Sequence, residues 1–199
     1  MQRILLLFLL SFTFLVRSQN LRQSNTYVRT CLNDVECSSI NSSSYLYYDE
    51  ATQKFYLKID FNQMKTGLDS VDFWLEDLND TYLYFVSSLP REQFPNLSSY
   101  NVKNFKMNGQ LFLNSVWRSQ SIDISIYRAE NDMINNTTNA NRFDAYKVNF
   151  SFSFSPKDFN IHKKPQRLTN VIFVGVGAGQ INVLKAGMEN EVGEAYNRD

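Results

Sequence analysis

One histidine, two cysteines, four prolines and seven glycines stand in a chain of 199 residues. A lone imidazole cannot build a histidine-based metal cluster. His162, in Ile161-His162-Lys163-Lys164-Pro165, reads as a solvated loop residue rather than half of a Ser–His pair. Neither a Gly-x-Ser-x-Gly elbow nor a Ser-x-x-Lys pair occurs, so two familiar serine-nucleophile patterns are missing. No constellation points to catalysis, and the chain is expected not to be an enzyme. An excess of either charge is also missing, with 20 basic and 20 acidic residues. The one basic knot, Lys163-Lys164 with Arg167, reads as a solvated loop, and a near-neutral chain excludes nucleic acid as the expected partner. Beyond the N-terminal segment no apolar run reaches the roughly 18 residues that a membrane-crossing helix needs, so stable membrane insertion is not expected.

The scarce glycines include Gly175, Gly177 and Gly179 in Gly-Val-Gly-Ala-Gly. A dinucleotide fingerprint would need its third glycine where Gln180 stands, and a helix after it. Lys185 comes too late for a phosphate-loop lysine. The reading preferred here is small residues where a strand coils, bulges or meets another backbone.

What is present begins with export. Met1-Gln2-Arg3 is a short positive start, Ile4 to Val16 is apolar apart from Ser11 and Thr13, and Val16-Arg17-Ser18 offers a cleavage site before Gln19. Residues 1–18 therefore read as a signal peptide, and the mature protein is expected to be periplasmic or secreted. With Arg3 and Arg17 removed, the 20 basic residues fall to 18 against 20 acidic, a net charge of −2. Cys31 and Cys37 form an even, local pair, which in an exported chain reads as a disulfide. Asn41, Asn79, Asn96, Asn135, Asn136 and Asn149 each head an Asn-x-Ser/Thr triplet, a frequent accident in an Asn- and Ser-rich chain. Asp69, Asp72 and Glu76 share a helical face, where acids complement the dipole more simply than they perform acid–base work.

Sixteen Phe and 11 Tyr supply apolar area for a core and favour strands. Residues 19–44 are polar and read as an N-terminal arm pinned by the cysteine pair. From Tyr45 strands follow one another. Tyr45 to Tyr48 is short. Phe55, Leu57, Ile59 and Phe61 alternate with polar residues in the period of a half-buried strand. Asp69 or Ser70 caps a short helix carrying Val71, Trp74, Leu75 and Leu78 on one side. Tyr82 to Val86 is a strand. Asn101 to Met107 runs into Asn108-Gly109, a hairpin-turn pair, and Gln110 to Trp117 returns before a turn at Arg118-Ser119-Gln120. Ile122, Ile124 and Ile126 alternate next, residues 129–143 read as an exposed loop, and Tyr146, Val148, Phe150, Phe152 and Phe154 share one face. Thr169 to Val176 is a last strand, with Gln180 to Leu184 continuing it past a glycine kink, and residues 187–199 read as a loose tail. About eight antiparallel strands and one short helix predict a mainly β, lipocalin-like barrel, with a sandwich as the alternative.

Several segments resemble the bacterial YceI-like family of lipocalin-like barrels that bind polyisoprenoids or other long-chain lipids. They are Tyr45 to Asp49 with Phe55 to Asp60, Met64-Lys65-Thr66-Gly67 with Val71 to Leu75, Leu89-Pro90 with Phe94, Phe105 to Leu111, and Phe150 to Ile161. The likeness covers residues 45–185, and residues 45–186 are taken as the barrel domain. Two departures stand out. Residues 19–44 are short for the family's opening strands, and its helix histidine is absent from Ser70 to Leu75. The resemblance implies an apolar small-molecule partner, an isoprenoid quinone or a fatty acyl chain, with no other cofactor and no metal. Phe55, Leu57, Ile59, Phe61, Ile122, Ile124, Val148, Phe150, Phe152 and Phe154 are the expected lining, with Trp74 on a lid. The rival expectation is a structural or interaction domain of the cell envelope with a solid core.

Overall fold

The computed structural model describes residues 23–32, 36–61, 68–78, 82–95, 102–128, 146–161, 165 and 168–184. The expected signal peptide, the loop at 129–143, His162, the Lys163-Lys164-Arg167 knot and the tail at 187–199 lie outside them. Eight strands are formed: β1 (Gln23–Leu32), β2 (Glu36–Asp49), β3 (Lys54–Asp60), β4 (Tyr82–Ser88), β5 (Lys103–Leu113), β6 (Val116–Arg128), β7 (Tyr146–Phe154) and β8 (Ile172–Leu184). One helix, α1 (Asp69–Glu76), sits between β3 and β4. Consecutive strands pair antiparallel and β8 returns to β1, so the sheet closes into a barrel with the expected architecture.

Period-two alternation explains the curl. β3 and β7 bury every second residue, so their apolar rows face the barrel axis while polar residues face outward. The column Phe150, Phe152 and Phe154 runs up β7 with ring centroids 6.4 and 6.5 Å apart. Phe55 meets Phe150 edge-on from β3, and Phe85 lies beside Phe152 from β4.

Four sequence expectations need correcting. Residues 23–32 and 36–44 are not an arm: they form β1 and most of β2, a hairpin of the wall. Their inward positions include Ser24, Thr26, Thr30, Ser42 and Ser44, which are buried yet polar, so the alternation carries no hydrophobic signal. Apart from Thr30, these hydroxyls are bonded within the wall: Thr26 Oγ1 bonds Ser44 Oγ at 2.5 Å, and Ser44 Oγ donates to the Ser24 carbonyl at 3.3 Å. Asn108-Gly109 is not a turn either. β5 runs straight through it, and the hairpin turns at Asn114-Ser115, both with positive φ (49° and 59°), as a two-residue turn between right-twisted strands requires. Gly109 is needed for close approach: a Cβ there would collide with the Val86 carbonyl oxygen and the Phe85 ring. Arg118-Ser119-Gln120 is likewise strand, paired with Gln110, Gly109 and Leu111 of β5. Finally, neither Asp69 nor Ser70 caps α1; the N-cap is Leu68, without a side-chain bond, and Asp69 and Asp72 fall in the first turn.

β8 does continue past its glycines. Between the pairs Phe150↔Val176 and Val148↔Gly179 it carries one extra residue, a bulge. Ala178 takes it up with φ 50°, and the Asn149 side-chain oxygen accepts its N–H at 2.6 Å. The bulge shifts the inward row from Val174 and Val176 to Gly179 and Ile181. Beyond it β8 leaves β1 and pairs parallel to β2, Leu46 opposite Ile181. The Gly-Val-Gly-Ala-Gly run is thus wall, and Asn149 is a bulge clamp.

Cys31 and Cys37 are bonded and face each other across the β1–β2 ladder, which ties the far end of that hairpin. At the β2–β3 turn, Asp49 accepts the Ala51 and Thr52 amides at 2.8 and 3.4 Å and the Thr52 hydroxyl at 2.5 Å. Partial burial raises the Asp49 carboxyl, but these three donors outweigh it and hold its pKa below the usual carboxylate value.

Gly109→Ala should lower stability by about 1–3 kcal/mol in urea titration. Gly177→Ala, where a methyl would meet nothing within 4 Å, should leave stability within about 1 kcal/mol of the parent. Because the folded pKa of Asp49 is depressed, its contribution is complete above the unfolded value near 4 and is lost as pH falls through the folded one. Asp49→Asn should therefore flatten the fall in unfolding free energy on acidification relative to the parent; an unchanged slope would refute the role.

Candidate functional site

The barrel interior is the one continuous apolar volume of the described residues, and its two ends are closed differently. At the end where β2 stops and β3 starts, the connection after β4 tucks Phe94 inward. Its ring lies 4.9 Å from Tyr48 and 5.1 Å from Tyr146, and the Tyr146 hydroxyl donates to the Pro95 carbonyl at 2.6 Å. Burial, reinforced by Glu50, pushes the Tyr48 phenol up to about 12, and burial raises Tyr146 too, so both remain neutral plugs.

At the opposite end α1 lies across the opening. It turns Val71, Trp74 and Leu75 inward, each buried, and leaves Phe73 74% exposed on its outer side. Beneath it lies a cavity of about 20 Å³ lined by Val28, Thr30, Phe61, Val71, Trp74, Leu75, Leu78, Leu113, Phe154, Ile161 and Ile172. That space is the size of about one water molecule. The surface it presents is apolar; Trp74 and Thr30 line it with their carbon atoms, and the Trp74 indole N–H and Thr30 hydroxyl are buried away from it without a hydrogen-bond partner. No charged side chain lines it.

All eleven residues expected to line a site point into one core, and each is at most 8% exposed. The structure divides them into two groups. Phe61, Trp74 and Phe154 line the cavity at the α1 end. Phe55, Leu57, Ile59, Ile122, Ile124, Val148, Phe150 and Phe152 fill the barrel deeper down. Val28 and Thr30 carry no signal in the sequence, because the residues of β1 alternate polar with polar, and Leu113 lies beyond the Asn108-Gly109 pair that reads as the turn. Ile161 and Ile172 flank irregular chain, where no period marks them. Trp74, expected on a lid, is buried on the inward side of α1 beside Val71 and Leu75.

Elsewhere the described residues offer little for chemistry. No group of three or more His, Cys, Asp or Glu among them is placed to hold a metal ion, and no described helix is long and apolar enough to cross a membrane. A depression of about 340 Å³ on the outer wall, bounded by Tyr27, Asp123, Asn149 and Gly177, is wide and shallow.

A closed antiparallel barrel of eight strands, apolar inside and capped by a short helix, is the architecture of small lipid- and ligand-holding barrels. Its fold is shared with a polyisoprenoid binding domain from Saccharophagus degradans implicated in plant cell wall breakdown: TM-score 0.56 at 10% identity, over 77% of this chain and 90% of that one. Burkholderia cenocepacia BcnA aligns with TM-score 0.49 at 14% identity over 77% and 93%. A mutant CJ YCEI protein with a monobromobimane guest aligns with 0.41 at 16% over 67% and 76%. Only the first superposes closely enough to bear on this fold. No protein-family model matches the sequence, and no curated protein matches it significantly.

Phe154→Ala should destabilise the barrel by about 3–5 kcal/mol and enlarge the cavity. The enlarged cavity should take up benzene or xenon, seen as chemical-shift changes at Leu113 and Ile172; a variant that collapses and binds neither would refute the geometry.

Proposed function

We propose that this protein binds a single long apolar chain, isoprenoid or fatty acyl, inside the barrel, and that it does so after export as a YceI-like protein of the periplasm or extracellular space. The observation that carries the reading is the apolar cavity beneath a short helix, at one end of an interior built from aromatic rings. The shared fold with a polyisoprenoid binding domain supports it. The Cys31–Cys37 bond supports the oxidising compartment.

Energetics set a lower limit on the guest. Lifting α1 uncovers Val71, Trp74 and Leu75, at about 1.5–3 kcal/mol each, or roughly 5–9 kcal/mol together. A buried methylene returns about 0.8 kcal/mol, so roughly six to eleven methylenes balance the uncovering, before association costs are counted. Short acyl chains fall below that limit and long ones pass it. The guest also has to displace rings, since the free space holds about one water. That same tight filling favours a second reading, a solid barrel whose outer surface and loops contact other envelope components.

Native mass spectrometry of the purified chain separates the two. The binding reading expects a one-to-one adduct with a 20-carbon isoprenoid alcohol and none with a six-carbon alcohol. In a Trp117→Phe background, Trp74 emission should shift on loading. Absence of any adduct and of any shift, with the barrel folded, would leave the solid-core reading standing.

A further inference from the structure

α1 covers the cavity with one side, and its other side carries Phe73, 74% exposed and the most exposed large apolar side chain among the described residues. Residues three or four apart are neighbours on a helix surface. Asp69 therefore stands one turn before Phe73, and Glu76 and Asp77 one turn after it, on the side away from Val71, Trp74 and Leu75. Residues 68–78 hold four acids, Asp69, Asp72, Glu76 and Asp77, and no Lys, Arg or His, so they carry a charge of −4.

That composition does not serve the helix. Asp69 and Asp72, in the first turn, complement the positive end of its dipole. Glu76 ends the helix and Asp77 is its C-cap, where the dipole is negative and the last turn holds no basic residue. Asp72 and Glu76 are four apart, a spacing at which like charges destabilise a helix. A helix acting only as a cover would be more stable with Lys or Arg at its end and a polar residue at position 73.

What the face does suit is a partner of opposite character. An apolar anchor set among carboxylates is complemented by Lys or Arg side chains around an apolar contact, the surface of a basic amphipathic protein segment. An anionic membrane leaflet would be repelled by the same carboxylates. The whole chain is balanced, with 20 basic and 20 acidic residues, so the attraction belongs to this face and not to the protein at large.

We infer that the outer face of α1 docks a basic amphipathic segment of another protein, with Phe73 as the anchor and Asp69, Glu76 and Asp77 meeting its Lys or Arg side chains. The inference does not depend on the apolar-chain reading. It adds a partner that grips the helix covering the cavity.

Trp74, on the opposite side of the same helix, reports the contact. In a Trp117→Phe background, Trp74 emission and calorimetry follow titration with a synthetic amphipathic peptide of Lys and Leu, about 18 residues long. The parent should bind it and should not bind the same peptide with Glu in place of Lys. Phe73→Ser should weaken binding about tenfold. Asp69→Asn, Glu76→Gln and Asp77→Asn together should weaken it about tenfold and flatten its dependence on salt. Glu50→Gln, Glu92→Gln and Asp123→Asn together, all exposed positions elsewhere, should change the Kd by less than about twofold. Should the first triple variant unfold by circular dichroism, Phe73→Ser and Asp77→Asn carry the test. Absence of binding by the parent, no loss from Phe73→Ser, or an equal loss from the control triple would overturn the assignment. So would binding of phosphatidylcholine vesicles, or dimerisation in gel filtration, that depends on Phe73 while the peptide does not bind; the occupant would then be a bilayer or a second copy.

Discussion

The column of Phe150, Phe152 and Phe154 along β7, met by Phe55 and Phe85 from across the axis, holds the wall at its radius. An eight-stranded barrel leaves an interior just wide enough for side chains, and a folded interior is filled to crystal-like density. Rings that large could not all face one axis if every strand contributed one. The compensation is on β1 and β2, whose inward residues are mostly Ser and Thr. Bulk on one side of the barrel and small hydroxyls on the other are one arrangement, and the second exists because of the first.

That arrangement explains which parts of the fold were legible beforehand. β3, β6 and β7 declare themselves through apolar alternation, and α1 through Val71, Trp74 and Leu75 at helical spacing. β1 was invisible because its buried positions are hydroxyls that pair with one another, so polarity there reports hydrogen bonding rather than solvent. Asn108-Gly109 misled for a related reason. Its glycine serves the passage of the Phe85 ring and the Val86 carbonyl, whereas Asn114-Ser115, with no glycine at all, makes the turn. The sequence pattern and the structure both give eight strands, because the silent β1 offsets a false break in the β5–β6 region.

The interior was legible in outline and its working end was not. Alternation tells which residues face inward but not how far along the axis each one lies. Phe61, Trp74 and Phe154 belong with Thr30, Leu113 and Ile172 only because four strand ends, one strand start and a helix meet at the same rim. The unpartnered Thr30 hydroxyl has no sequence signature, since Thr26 and Thr30 both stand opposite a serine, Ser42 and Ser38, and only Thr26 finds a hydroxyl partner, in Ser44.

The β1–β8 ladder, Thr26 opposite Val176 and Arg29 opposite Phe173, joins the first described strand to the last. Until residue 176 has been made, β1 lacks that partner and the sheet keeps two raw edges. Long-range pairing of this kind makes folding slow. A chain still on the ribosome therefore cannot close the barrel before β8 has been made, and its rings stay unpacked until then.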